Sequence, residues 1–90
     1  MGHRIELGEI EADAALCEGI SSCCAVYHKE KDKIVLFFTG TAEEKDVKAD
    51  LKERLPRYML PGKVVKLSKM PLTPNGKRDR KFLERSIKGE

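Results

Sequence analysis

The sequence contains no apolar run long enough to cross a bilayer; its longest, Ile34-Val35-Leu36-Phe37-Phe38, is only the length of a strand. The opening Met1-Gly2-His3-Arg4 runs into acidic residues rather than an apolar core, which argues against a secretory signal. A myristoylation reading of Met1-Gly2 fails because Glu6 stands where Ser or Thr is required. Cysteine is scarce: Cys17, Cys23 and Cys24 form no C-x-x-C pair, and neighbours on a strand point to opposite faces. They are expected to be buried free thiols in a reducing, cytoplasmic setting, with no metal bound. His3 and His28 have no ligand-spaced partners either. No G-x-x-x-x-G-K-[ST] loop and no G-x-G-x-x-G are present. A Ser–His–Asp set and an H-E-x-x-H helix are likewise missing. These absences exclude a self-contained nucleotide-binding fold and leave too little chemistry for a whole enzyme.

What is present is charge and modest apolar patterning. Ninety residues, 40% hydrophobic and 37% charged, suit one soluble, ordered domain spanning 1–90. The net charge of +3 conceals an asymmetry. Residues 61–90 carry nine Lys or Arg against three Asp or Glu, whereas residues 1–60 carry nine against twelve. A basic end favours anionic partners such as phosphates or an acidic protein face, although a solvated basic face needs no partner.

Along the chain, Ile10, Ala14 and Cys17 fall on one helical face, and Gly19 marks the stop. Cys23 to Tyr27 and Ile34 to Thr39 read as an antiparallel hairpin around the charged stretch 29–33. Thr41-Ala42-Glu43-Glu44 has capping-box spacing ahead of a helix whose stripe is Val47, Leu51 and Leu55. Pro56 bounds that helix, and Arg57-Tyr58-Met59-Leu60-Pro61 is a stiff connection, with Tyr58 and Met59 packing beneath the loop that follows. Lys63 to Leu67 is a third strand, with Val65 and Leu67 on one face. Phe82, Leu83 and Ile87 give a terminal helix its buried side. The expected fold is α+β, a small three-stranded sheet with packed helices.

Between that strand and helix lies Pro71-Leu72-Thr73-Pro74-Asn75-Gly76-Lys77-Arg78-Asp79-Arg80-Lys81. Pro fixes φ and Asn-Gly tolerates positive φ, so the segment predicts a tight, pre-shaped loop. The loop lifts Lys77 out of the turn, and Asp79 has the position of a helix cap. A lysine so presented is a mobile point charge with three donors, suited to an anionic group.

Three stretches in order carry a resemblance: residues 2–11 (GHRIELGEIE), Leu55-Pro56-Arg57-Tyr58-Met59-Leu60-Pro61, and Pro71 to Arg80. Together they resemble the C-terminal lid subdomain of adenylate-forming enzymes, in particular amino-acid adenylation domains of nonribosomal peptide synthetases and D-alanine–carrier protein ligases. The resemblance covers nearly the whole chain. It implies a two-step ligase that uses ATP and Mg²⁺ to make an acyl-adenylate from a carboxylic, here an amino, acid. The acyl group then passes to the phosphopantetheine thiol of a carrier protein. It also implies that the N-terminal domain binding ATP and the acid is absent from this chain, as is the hinge residue before the first motif. The chain therefore reads as an excised subdomain or, less directly, as a lid acting in trans, and is expected to be inactive in isolation.

The resemblance assigns Lys77 to the adenylation step and the loop of Gly2 and Arg4 to the thiol path, where glycine lets backbone approach the pantetheine arm. Arg4 and Glu6 are expected to fix that loop. Arg78, with Arg80 and Lys81, is expected to meet phosphate, the carrier or the partner domain. The alternatives are an acyl-CoA ligase lid and a small basic module binding nucleic acid or a carrier protein. Nucleic acid is not an expected partner, since Phe82 is the sole aromatic of the basic tail and offers no stacking platform; a membrane is not expected either, since the longest apolar run is too short to span one.

Overall fold

The structure, a computed structural model, describes residues 6–88. In chain order the elements are α1 (Leu7–Ala15), β1 (Ile20–His28), β2 (Lys33–Gly40), α2 (Glu44–Arg54), a 3₁₀ turn (Arg57–Met59), β3 (Lys63–Lys66) and α3 (Arg80–Lys88). The sheet order is β1-β2-β3. β1 and β2 form the expected antiparallel hairpin, with Val26 opposite Val35. β3 lies parallel to β2, with Leu36 opposite Val64, so α2 serves as the crossover that a parallel pair requires. The α+β architecture is as expected, and helices cover both faces of the sheet.

That double cover explains the apolar run in β2. A central strand buried on both sides has no polar face to alternate with. Ile34, Leu36 and Phe38 meet Ile10, Ala14 and Cys17 of α1 and its end, and Val47, Leu51 and Leu55 of α2. Val35 and Phe37 face the other way, onto Met70, Leu83 and Ile87. Cys23 and Cys24 divide between the same two clusters, as neighbours on a strand must.

Several local expectations give way to tertiary contacts. Gly19 does not end α1 directly; it sits in the turn to β1 with φ +87. Its carbonyl accepts from the N–H groups of Thr41 (2.9 Å) and Ala42 (3.1 Å). Gly40 has φ +135, and a Cβ there would collide with the same Gly19 carbonyl, so the pair must both be glycine for the two segments to touch. The capping box does not form: α2 starts at Glu44, and its N-cap Glu43 makes no side-chain cap bond. Thr41 is held at Gly19 instead, and Glu44 Oε2 accepts from the Lys66 N–H at 2.8 Å, joining α2 to β3. Met59 is buried in the core beneath α1 and α2, not under the lysine loop, and Tyr58 is exposed. Phe82, expected inside, is 50% exposed; Leu83 and Ile87 alone supply the buried side of α3. Among the described residues no helix is long and apolar enough to cross a membrane.

All three cysteines are free and buried. Burial, helped by a hydrogen bond with Asp50, pushes the Cys17 thiol up to about 11. Burial likewise pushes Cys24 up to about 11 and raises Cys23. The folded values lie above the ordinary 9.0, so the stability from keeping these thiols neutral is whole below pH 9 and is lost as pH rises through about 11. Two results are expected: slow native labelling by a disulfide reagent at mildly alkaline pH, with all three thiols reacting in denaturant, and a urea midpoint that falls across that alkaline window.

Candidate functional site

The lysine loop is a hairpin with a defined closing geometry. Leu72 and Arg78 pair as an isolated antiparallel bridge. Inside it, Gly76 N–H donates to the Thr73 carbonyl at 2.8 Å and Thr73 N–H to the Lys77 carbonyl at 2.7 Å. The Thr73 hydroxyl accepts from the Lys77 N–H at 3.2 Å. Gly76 has φ +85, the left-handed conformation that an Asn-Gly pair supplies cheaply. A Cβ built there would meet nothing within 4 Å, so the tip stands in open space. Pro74, Asn75, Gly76 and Lys77 are all exposed. Among the described residues no carboxylate pairs with the Lys77 ammonium. The result is a stiff backbone carrying an unpaired cation at its end.

The hairpin runs directly into α3. Asp79 N–H donates to the Pro71 carbonyl at 2.9 Å, closing the base. Asp79 Oδ1 accepts from the Phe82 N–H at 3.1 Å, which is the expected N-cap of α3. Leu83 and Ile87 then anchor the helix against β1 and β2.

The base is also tied across the molecule to α1. Glu11 is only 7% exposed. Its Oε2 accepts from the Ala25 N–H at 2.7 Å and lies 3.0 Å from Arg80 Nη2. Its Oε1 lies 3.5 Å from Arg78 Nη1. Arg78 Nη1 also donates to the Cys23 carbonyl, and Arg80 Nη1 to the Ala25 carbonyl. Among the described residues β1 has no strand on that side, so these are the backbone groups the sheet leaves over. A buried carboxylate is tolerable here because two guanidinium groups and an amide N–H surround it.

The site residues read from the sequence therefore separate. Lys77 stands at the tip. Arg78, expected to bind an anion, sits at the base with its guanidinium on Glu11 and Cys23, although its side chain remains 41% exposed. Arg80, expected only in weak outside contacts, has internal partners too. Gly2 and Arg4 lie outside the described residues. Among the described residues no group of three or more His, Cys, Asp or Glu is placed to hold a metal. Glu11 was not singled out by sequence reasoning, yet a signal exists: it shares the helical face of Ile10 and Ala14, where a carboxylate demands a counter-charge. A groove of about 510 Å³ flanks the hairpin, lined by Phe37, Leu67, Met70, Leu72, Phe82 and Leu83.

Comparison with known proteins places this geometry. The profile of the AMP-binding enzyme C-terminal domain matches residues 9–77. Zwittermicin A synthase ZmaJ of Bacillus cereus is 39% identical over 87 residues, covering 91% of this chain and 17% of that protein. Gramicidin S synthase 2 of Brevibacillus brevis is 41% identical over 88 residues, covering 91% of this chain and 2% of that protein. The crystal structure of a holo four-domain nonribosomal peptide synthetase bound to AMP and glycine superposes with a TM-score of 0.77 at 37% identity, over 89% of this chain and 6% of that one. The chain thus spans a small part of the length of each relative.

Replacing Asp79 with Ala removes the cap of α3 and is expected to lower stability by about 1 kcal/mol. Urea denaturation of the two proteins checks this; an unchanged midpoint would show that the cap contributes nothing.

Proposed function

Because the chain belongs to the AMP-binding enzyme C-terminal domain family, we propose that it is the mobile lid of an ATP-dependent ligase of the nonribosomal peptide synthetase type. In this reading a large N-terminal domain of the same enzyme binds ATP, Mg²⁺ and an amino acid or related carboxylic acid. The acid oxygen attacks the α-phosphorus of ATP and pyrophosphate leaves, giving an acyl-adenylate; the phosphopantetheine thiol of a carrier protein then takes the acyl group, losing its proton, and AMP leaves. The observation that carries the reading is Lys77, an unpaired cation on the exposed tip of a rigid hairpin.

The chemistry asks for such a group. As a carboxylate approaches a phosphate, two anions crowd together, and a cation between them offsets the charge gathering on the phosphoryl oxygens. A hairpin closed by its own bonds fixes the backbone from which that cation reaches, so only the side chain has to be ordered. Lys77 fits an anionic nucleotide in this way. Arg78 fits less well, since an outside phosphate would have to compete with Glu11 and the Cys23 carbonyl. Mg²⁺ would be held by the large domain. For the second step the lid would turn and bring the stretch containing Gly2 and Arg4 toward the thiol. A carrier-protein acceptor is favoured over coenzyme A by the 37% identity to the four-domain nonribosomal peptide synthetase. The work of such an enzyme belongs in the cytoplasm, where ATP and the reduced thiol are found.

The test is ATP–pyrophosphate exchange by the parent enzyme over a panel of amino acids and simple acids, followed by transfer to a holo carrier protein or coenzyme A. Exchange with one acid is expected, and Lys77→Ala should lower its kcat by about 10²–10³-fold with an unchanged melting temperature. An unaltered exchange rate in folded Lys77→Ala would remove the lysine from the mechanism. The 90 residues alone should give no exchange; measurable turnover by them would overturn the lid reading.

A further inference from the structure

We infer that Glu11 is a positioning residue for adenylation, holding Lys77 in place through Arg78 and Arg80; this rests on the reading of Lys77 given above. Lys77 reaches into open space, so its own side chain cannot fix where its backbone lies. The tip bonds among Thr73, Gly76 and Lys77 set the shape of the hairpin but not its direction relative to the sheet. Direction is set at the base. Arg78 adjoins Lys77 in the chain, and Arg80 opens α3 directly after the cap Asp79. Both guanidinium groups converge on one carboxylate, 3.5 Å and 3.0 Å away. Among the described residues these two ion pairs are the charged links between the hairpin and α1.

If Glu11 only filled a spare bond on β1, its hydrogen bond from the Ala25 N–H would suffice. Two arginines arriving from the same short segment make a fork instead, with each arginine bonded at once to Glu11 and to a β1 carbonyl. Such a fork resists both sliding and rotation of the hairpin along the strand edge. Loss of the carboxylate charge leaves the arginines with the two carbonyls alone, and the hairpin gains freedom to swing. Displacements on the order of 1 Å at a reacting centre can cost up to about 10²-fold in rate.

The experiment compares the parent enzyme with Glu11→Gln, which keeps the size of the side chain and an acceptor for the Ala25 N–H but removes the charge. Exchange kcat is expected to fall about 10-fold while KM for ATP and the acid moves by less than about twofold. In the double variant with Lys77→Ala the two losses should not multiply, because Glu11 acts through Lys77. Should Glu11→Gln fail to fold, Arg80→Gln, at a partly exposed position, carries the same comparison. A wild-type kcat in the folded variant overturns the inference, as do losses that multiply in the double variant; both outcomes leave the role of Lys77 standing. Wild-type exchange by Lys77→Ala overturns the underlying reading, and the inference with it.

Discussion

A single buried carboxylate fixes how three segments of the described domain meet. Glu11 stands on α1, accepts from β1, and pairs with two arginines that belong to the lysine hairpin and the start of α3. Three segments far apart in sequence therefore meet at two oxygens. Buried ion pairs rarely add much net stability, because desolvation cancels most of the attraction, but breaking one side typically costs about 3–5 kcal/mol. The arrangement is thus better understood as a specification of geometry than as a source of stability. Apolar burial on the two faces of β2 supplies the stability, and the carboxylate decides how the hairpin is oriented on that core.

The division of labour along the hairpin follows from this. Its base is crowded with charge-assisted bonds, whereas its tip carries backbone closure, one bond to the Thr73 hydroxyl and an exposed lysine. On the proposed reading, a group that enters another domain's cleft and withdraws again gains from being unpaired, since no internal contact has to break first. It gains equally from a rigid mount, since no loop has to be ordered on arrival. Gly76, with room around its Cα and positive φ, makes that combination possible in very few residues.

Much of this was legible in the sequence, for identifiable reasons. Period-3.6 apolar spacing gave the inner faces of α1 and α2, the unbroken Ile34–Phe38 run gave the central strand, and Asn75-Gly76 and Asp79 gave a turn and a cap whose chemistry is local. What was not legible depended on partners distant in the chain. The Thr41 to Glu44 spacing promises a cap, but a carbonyl at Gly19 and an N–H at Lys66 claim those groups instead. Phe82 has the periodicity of a buried residue, yet α3 sits so that its ring borders the groove. Arg78 and Arg80 look like outward-reaching charges until Glu11 is placed beside them. The parallel direction of β3 is likewise a property of the crossover, not of its four residues.

The covered side of β1 has a consequence for solubility during motion. An outer strand with spare N–H and carbonyl groups is a template onto which another chain can add as a further strand. In the proposed lid, movement away from a partner domain would bring such a template into solvent. Here Ala25 N–H and the carbonyls of Cys23 and Ala25 are already occupied by charged side chains. The fork at the base of the hairpin thus also occupies three of the backbone positions at which another strand would add to β1.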